Sequence, residues 1–207
     1  MVPFAVTADV GADHGKLIIS LFIDHKIPHG YAIENKKGPY NRLLKALQER
    51  NLEEDIVPLF SDGISELPIS VGTIIIAGMG GKLIVDILHK NFSKLKYVNT
   101  IIVDAHNAVP EVREYLLNHG YVIAEEKMIK EDNIYYEIIK FVKGEMAFFS
   151  ESDVEFGPIL RNEKCSAFKE KYSSRIEEIN RLISTHKLPK EKIELLLKEK
   201  SRIENIL

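Results

Sequence analysis

Asp9-Val10-Gly11-Ala12-Asp13-His14-Gly15 follows the β-rich run Phe4 to Asp9 and opens a helical pattern over His14 to His25. A glycine-punctuated turn between a strand and a helix marks a ligand site at the carboxyl end of a strand in an open α/β sheet. Gly11 lets the backbone turn tightly and approach a ligand. Asp9 and Asp13 offer acceptors suited to a cationic group and would repel the pyrophosphate of a dinucleotide. The dinucleotide fingerprint G-x-G-x-x-G also fails here, because Asp13 and Lys16 hold its second and third glycine positions. S-adenosylmethionine, with a positive amino group and sulfonium and no phosphate, fits the acidic version. Taken alone, the string is equally a turn with no ligand.

Working outward, short apolar runs alternate with helical patterns, the signature of βαβ units around a mostly parallel sheet. Strands are expected at Phe4–Asp9, Gly30–Glu34, Ile56–Phe60, Thr73–Ala77 and Asn99–Asp104. Tyr121–Ile129 and Ile134–Phe141 read as an antiparallel pair around the polar turn Glu131-Asp132-Asn133. Helices fit His14–His25, Pro39–Asn51, Gly81–Lys90 and Val109–His119, two of them with proline near the first helical position. From about Gly144 the texture becomes charged and helical, with Leu182, Ile183, Leu195, Leu196, Leu197, Ile203 and Ile206 as apolar positions. That pattern predicts a coiled-coil-like helical hairpin turning at His186-Lys187-Leu188-Pro189. The expected division is therefore a Rossmann-like α/β domain over residues 1–144 and a helical appendage over 145–207.

The other strand ends carry further candidates. Glu34 closes the second strand about 25 residues after Asp9 and suits a ribose diol, with Asn35 beside it. Ser61-Asp62-Gly63 follows the third strand; a carboxylate there can take an adenine amino group and glycine lets the ring lie close, although alone it is equally a turn. Ala77-Gly78-Met79-Gly80-Gly81 follows the very apolar fourth strand and exposes backbone polar groups beside an apolar Met79. It is also what a tight strand-to-helix turn needs, and it lacks P-loop spacing.

The 207 residues include 28 Lys or Arg and 31 Asp or Glu, a formal charge of −3, and 45 % are hydrophobic. That excludes a strongly basic nucleic-acid coat and an intrinsically disordered chain. The tail from Glu145 onward holds twelve residues of each sign, so the −3 belongs to the front part. The single cysteine, Cys165, cannot form an intrachain disulfide, no run reaches the roughly 18 apolar residues of a membrane span, and no export signal opens the chain. A cytoplasmic protein is expected. Asp13, Asp104, His14 and His106 lack metal-ligand spacing, so no metal is expected.

In this order, Asp9-Val10-Gly11-Ala12-Asp13-His14, Glu34 through Gly38-Pro39-Tyr40, Ser61-Asp62-Gly63 and Ile76-Ala77-Gly78-Met79-Gly80-Gly81 resemble the bacterial tRNA (adenine-22-N1)-methyltransferases, the TrmK family. The resemblance continues through Tyr135-Tyr136-Glu137 and Phe156-Gly157-Pro158 and covers nearly the whole chain. It implies a class I methyltransferase domain that uses S-adenosylmethionine on tRNA. The implied cofactor residues are Asp9, Gly11, Asp13, His14, Glu34, Asn35, Asp62, Gly63, Ala77, Gly78 and Met79. Gly80, Gly81, His106, Lys36, Lys37 and Arg42 are implied for substrate, with Asp13 and Asn107 in catalysis. Lys45 extends the basic cluster on the second helix, and Arg161, Lys164, Lys169, Lys171 and Arg175 mark the tail; a solvated helix face is the better reading of any one of them, and as sets they could neutralise phosphates. Two departures stand out: the family's Gln-Pro-Asn after the fifth strand is Ala105-His106-Asn107 here, and its helix before the first strand is missing. The first predicts altered base recognition; the second predicts a shortened or mis-started N-terminus and a more open cofactor site. The residues leave open a class I methyltransferase for another RNA or a small molecule, and a non-catalytic RNA-binding or coiled-coil protein on a vestigial domain. A monomer is compatible with all three.

Overall fold

Apolar residues occupy both alternating faces of Thr7–Val10 (β1), Gly30–Glu34 (β2), Thr73–Met79 (β4) and Thr100–Ala105 (β5), and nearly all are buried. Such strands must be covered on both sides, which is the condition of a parallel sheet between helical layers. With Ile56–Phe60 (β3), Tyr121–Glu131 (β6) and Ile134–Lys143 (β7), they form one sheet in the order β3-β2-β1-β4-β5-β7-β6. All pairs from β3 to β5 are parallel; β7 runs antiparallel between β5 and β6. The computed structural model describes residues 1–145, 148–185 and 188–207.

One face carries Lys16–Ile23 (α1) and Lys37–Gln48 (α2), packed through Ile18, Ile19, Leu43 and Leu47 onto Ala32 and Ile56. The other carries Gly81–Lys90 (α3) and Val109–Leu117 (α4), packed through Ile84, Leu88, Val112 and Leu116 onto Ile33, Ile74, Ile76 and Val103. The period-2 alternation of the strands thus sends Ala32 to one layer and Ile33 to the other.

Several boundaries differ from the expectation for definable reasons. β1 starts at Thr7, not Phe4, because Thr7 is already opposite Gly30 and Thr73, the first residues of both neighbouring strands; Phe4 is left exposed. α1 starts at Lys16 because Gly15 sits at φ 68, and it stops at Ile23 before His25, also at positive φ. α2 begins two residues ahead of Pro39, which becomes its third residue, where an N–H would still lack an intrahelical acceptor; the left-handed Asn51 lies beyond its end at Gln48. β4 continues to Met79 through a register shift, so Gly78 and Met79 belong to a strand end. β5 runs one residue later at both ends than expected, and α4 stops at Leu117, where Asn118 caps it. Glu131 pairs with Ile134, leaving Asp132 and Asn133 at φ 48 and 63 as the whole turn, the left-handed pair a two-residue hairpin requires.

The C-terminal part is more than a hairpin. Glu151–Phe156 (α5), started by a Ser150–Asp153 capping box, and Leu160–Glu163 (α6) precede Ser166–Thr185 (α7) and Lys190–Glu204 (α8). Of the expected turn, His186 and Lys187 lie outside the described residues, and Pro189 is the residue preceding α8. Phe156, Leu160, Phe168, Ile179, Leu196 and Ile203 share one apolar cluster with Met128 of β6, against which Tyr135 of β7 packs. A long hairpin strand pair therefore carries the helices.

Candidate active site

Loops from the carboxyl ends of β1 to β4 converge on a cleft of about 560 Å³. Gly11, Asp13, Glu34, Asn35, Asp62, Gly63, Gly78, Met79 and Gly80 line it, with Lys36 and Arg42 at its rim. Its apolar lining comes from Val10, Ile33, Leu83 and Ile87. Leu83 and Ile87, one turn apart on α3, were missed from the sequence, although their i, i+4 spacing is the signal of a shared helix face.

Glu34 is buried and braces the loops around it. Its Oε1 accepts from the N–H groups of Asn35 and Lys36, both at 2.9 Å, and its Oε2 from Asp13 N–H at 3.3 Å. An ionised carboxylate offers about four acceptor sites, so one remains after these three. Asp13 is half exposed at φ 44, and Arg42 donates to its Oδ1 at 2.7 Å. Asp62 takes a 2.5 Å ion pair from Lys90 and a 3.3 Å bond from the Asn35 amide. The Lys90 bond is the main reason its carboxyl is held below the ordinary range. Lys90, in the last turn of α3, reads in sequence only as a cation at a helix C-terminus.

Gly11 sits at φ 79, the left-handed region that favours glycine, and the Met79 methyl packs over its backbone, 2.0 Å from where a Cβ would lie. Gly81 is equally constrained, since a Cβ would fall 2.5–2.6 Å from the carbonyl oxygens of Ala108 and Asn107. This close approach seats the β5 loop on the start of α3, where Gly81 N–H donates to the Asn107 carbonyl at 3.1 Å and to its Oδ1 at 3.3 Å.

The remaining candidates fall around this cleft. Asp9, His14 and Ala77 line a smaller adjoining cavity with Gly11 and Asp13. Asp9 is only 4 % exposed. Burial pushes its carboxyl up to about 7, against a hydrogen bond from Ile18 N–H in the first turn of α1. His106 and Asn107 lie beyond the Gly78–Gly81 strip, in a separate 270 Å³ pocket shared with Tyr135, Lys171 and Tyr172. Lys37 is exposed in the first turn of α2. The residues chosen for substrate therefore stand on two sides of the cofactor cleft. Among the described residues, no cluster of three or more His, Cys, Asp or Glu is placed to hold a metal ion.

Carboxylates where a dinucleotide would need donors, apolar walls for a purine and a glycine cradle at β1 together fit S-adenosylmethionine. With the sheet order, they define a class I S-adenosylmethionine-dependent methyltransferase. Comparison with known proteins narrows the class. The family model described as tRNA (adenine(22)-N(1))-methyltransferase matches residues 7–206, and the chain belongs to this TrmK family. The tRNA (adenine(22)-N(1))-methyltransferase of Bacillus subtilis is 27 % identical over 84 % of this chain and 75 % of its own. Streptococcus pneumoniae Sp1610, to which tRNA m1A22 methylation is ascribed, is 31 % identical and superimposes with a TM-score of 0.94 over 100 % of this chain and 94 % of that one. It has also been solved in complex with S-adenosyl-L-methionine, where the match is 31 % identical with a TM-score of 0.90 over 99 % and 93 % of the two chains. TrmK of M. capricolum, 23 % identical with a TM-score of 0.85 over 97 % of this chain and 90 % of that one, has the same fold.

Proposed function

We propose that this chain transfers the methyl group of S-adenosylmethionine to N1 of adenine 22 in tRNA. The acidic, phosphate-excluding cleft at the β1–β4 strand ends is the observation that carries the reading, supported by family membership across residues 7–206. Asp9, Gly11, Asp13 and His14 would hold the methionine part, Glu34 and Asn35 the ribose, Asp62 and Gly63 the adenine amino edge, and Ala77, Gly78 and Met79 the sulfur end. Bound there, the cofactor supplies a methyl group already activated on a sulfonium.

The protein's task is then positioning. The adenine N1 lone pair forms the new bond to carbon as the carbon–sulfur bond breaks and its electrons return to sulfur. No proton has to leave, and the ring becomes cationic. Holding N1 in line with that bond can contribute several kcal/mol, and extrusion of the base from the folded RNA precedes it. Asn107 keeps its Oδ1 on Gly81 N–H, which leaves its amide N–H groups for the base edge beside Gly80, Gly81 and His106. Asp13 is the carboxylate for the developing ring charge, and Arg42 the group it exchanges for that charge. Lys36, Lys37 and Arg42 form a basic rim for phosphates, and the tail over residues 145–207 is a second RNA-gripping unit. The reading places the protein in the cytoplasm; no helix among the described residues is long and apolar enough to cross a membrane.

Incubation with unmodified total tRNA and S-adenosylmethionine, followed by nucleoside mass spectrometry, tests the reading: 1-methyladenosine is expected, and its absence refutes it. One observation favours a second reading, another RNA or a small molecule: Ala105-His106 stands where the resemblance leads one to expect Gln-Pro. Methylation of such a substrate with tRNA inert would select it.

A further inference from the structure

Beside the cofactor cleft, on the outer side of α1 and α2, lies a second and larger groove of about 610 Å³. Helical periodicity builds it. Lys16, Ser20 and Ile23 repeat along one face of α1, and Arg42, Lys45 and Ala46 along the facing side of α2, with Glu49 and Arg50 continuing the wall just past its end. Ile19 and Ala46 supply apolar lining, and Ile23 is left 55 % exposed. Among these residues four are cationic and Glu49 is the one acid, in a chain whose formal charge is −3.

The acid neutralises little. Lys45 and Arg50 reach Glu49 at 3.7 and 4.0 Å, all three groups being about half exposed or more, and such pairs contribute about 0–1 kcal/mol. Lys16 has no ion pair among the described residues. Arg42 lines both the groove and the cofactor cleft, and His14 stands at the end of the groove nearest Asp13. Whatever occupies the groove therefore also passes the mouth of the reaction site.

We infer that this groove holds the sugar–phosphate backbone of the RNA substrate next to the extruded nucleotide, Lys16, Lys45 and Arg50 taking phosphates and the Ile19–Ile23 floor meeting the sugar and base surfaces. The inference rests on the tRNA reading and adds a specific track to it. An acidic protein segment would find the same cations, but it would block the site mouth that the groove shares through Arg42, so substrate RNA is the better occupant.

The test is the Lys45→Ala/Arg50→Ala double variant, whose side chains lie outside the cofactor cleft. Anisotropy of labelled tRNA across 50 to 200 mM salt should show affinity weakened about tenfold and a log K against log salt slope shallower by about 2, one per lost phosphate contact. S-adenosylmethionine affinity by calorimetry should be unchanged, and the melting temperature should fall by no more than the loss of the 2.9 Å Arg50–Ala46 carbonyl hydrogen bond at the end of α2 allows. If the double variant melts early, the Lys45→Gln/Arg50→Gln pair replaces it. A wild-type protein that methylates tRNA while the variant keeps the same affinity and salt slope overturns the groove alone. A wild-type protein that neither binds nor methylates tRNA fails the functional reading itself. Retention of a poly-glutamate probe that is lost in the variant, with tRNA binding untouched, assigns the groove to an acidic protein and also overturns it.

Discussion

Asp9 and Asp13 stand four positions apart, one in β1 and the other in the loop that follows it, yet their surroundings differ sharply. Asp13 is half exposed and already faces a cation in Arg42, so its charge is available to a cationic ring at modest desolvation cost. Asp13→Ala should lower the methylation kcat by about a hundredfold or more, the range of a single electrostatic or acid–base contribution, measured at saturating cofactor because Asp13 also lines the cofactor cleft. Steady-state kinetics beside calorimetry checks this, and normal turnover at normal cofactor affinity removes Asp13 from the mechanism. Asp9 is buried, with its carboxyl pushed up to about 7 from 3.8. The folded state therefore binds more protons than the unfolded chain between those values, and the Asp9 contribution to stability falls as pH rises from about 4 to about 7. Asp9→Asn should remove that slope, so its melting temperature should gain on the wild type from pH 5 to pH 8; parallel curves would contradict it. The acidic motif was legible because each residue type excludes a phosphate ligand. That Asp9 is sealed away while Asp13 is open was not, since both precede the same helix and only the packing of α1 separates them.

At the scale of elements, α4, β6, β7 and the start of the C-terminal helices meet around one buried guanidinium. Arg113 is fully buried and pairs with both Glu126 and Glu137, donating also to the Val154 carbonyl. Glu126 further accepts from Ile159 and Leu160 N–H, and Lys171 of α7 reaches Glu137 at 3.1 Å. Burial alone would lower the Arg113 pKa, and the two carboxylates more than offset it. Removing one member leaves uncompensated buried charge, so Arg113→Ala should cost about 3–5 kcal/mol; denaturant unfolding measures this, and a loss below about 1 kcal/mol contradicts the role. In sequence Arg113 is an ordinary helix cation, because nothing local says that two strands and a loop 13 to 46 residues later will bury it. The strands themselves were readable: apolar runs such as Thr73-Ile74-Ile75-Ile76 have few alternatives. Their ends were less so, because the start of β1 is set by where Gly30 and Thr73 begin, a fact of pairing and not of propensity.

For the whole molecule, charge and architecture divide the labour. The overall −3 opposes indiscriminate nucleic-acid binding, while cations concentrate in the groove between α1 and α2. The C-terminal helices share their apolar cluster with Met128 and Tyr135 of the sheet. A cut at residue 144 would expose that surface and strip the buried Arg113–Glu126–Glu137 cluster of the Val154 carbonyl, the Ile159 and Leu160 N–H donors and Lys171, so a tail role is better read from charge changes on α7 and α8 than from deletion. The helical character of the tail was legible in its apolar spacing; the Ser150–Asp153 capping box was a readable start signal for α5 that went unused, whereas the docking of α5 and α6 was not legible because it depends on a buried ion cluster formed with distant strands.

Cleft, rim and groove serve one reaction, methylation of a single adenine at N1. Transfer of tritiated methyl from S-adenosylmethionine to a defined tRNA transcript, compared with the same transcript carrying guanine at position 22, tests it most directly. Incorporation near one methyl per tRNA is expected for adenine 22, recovered as 1-methyladenosine, and background for guanine 22. Equal incorporation into both transcripts, or none into either, would contradict it.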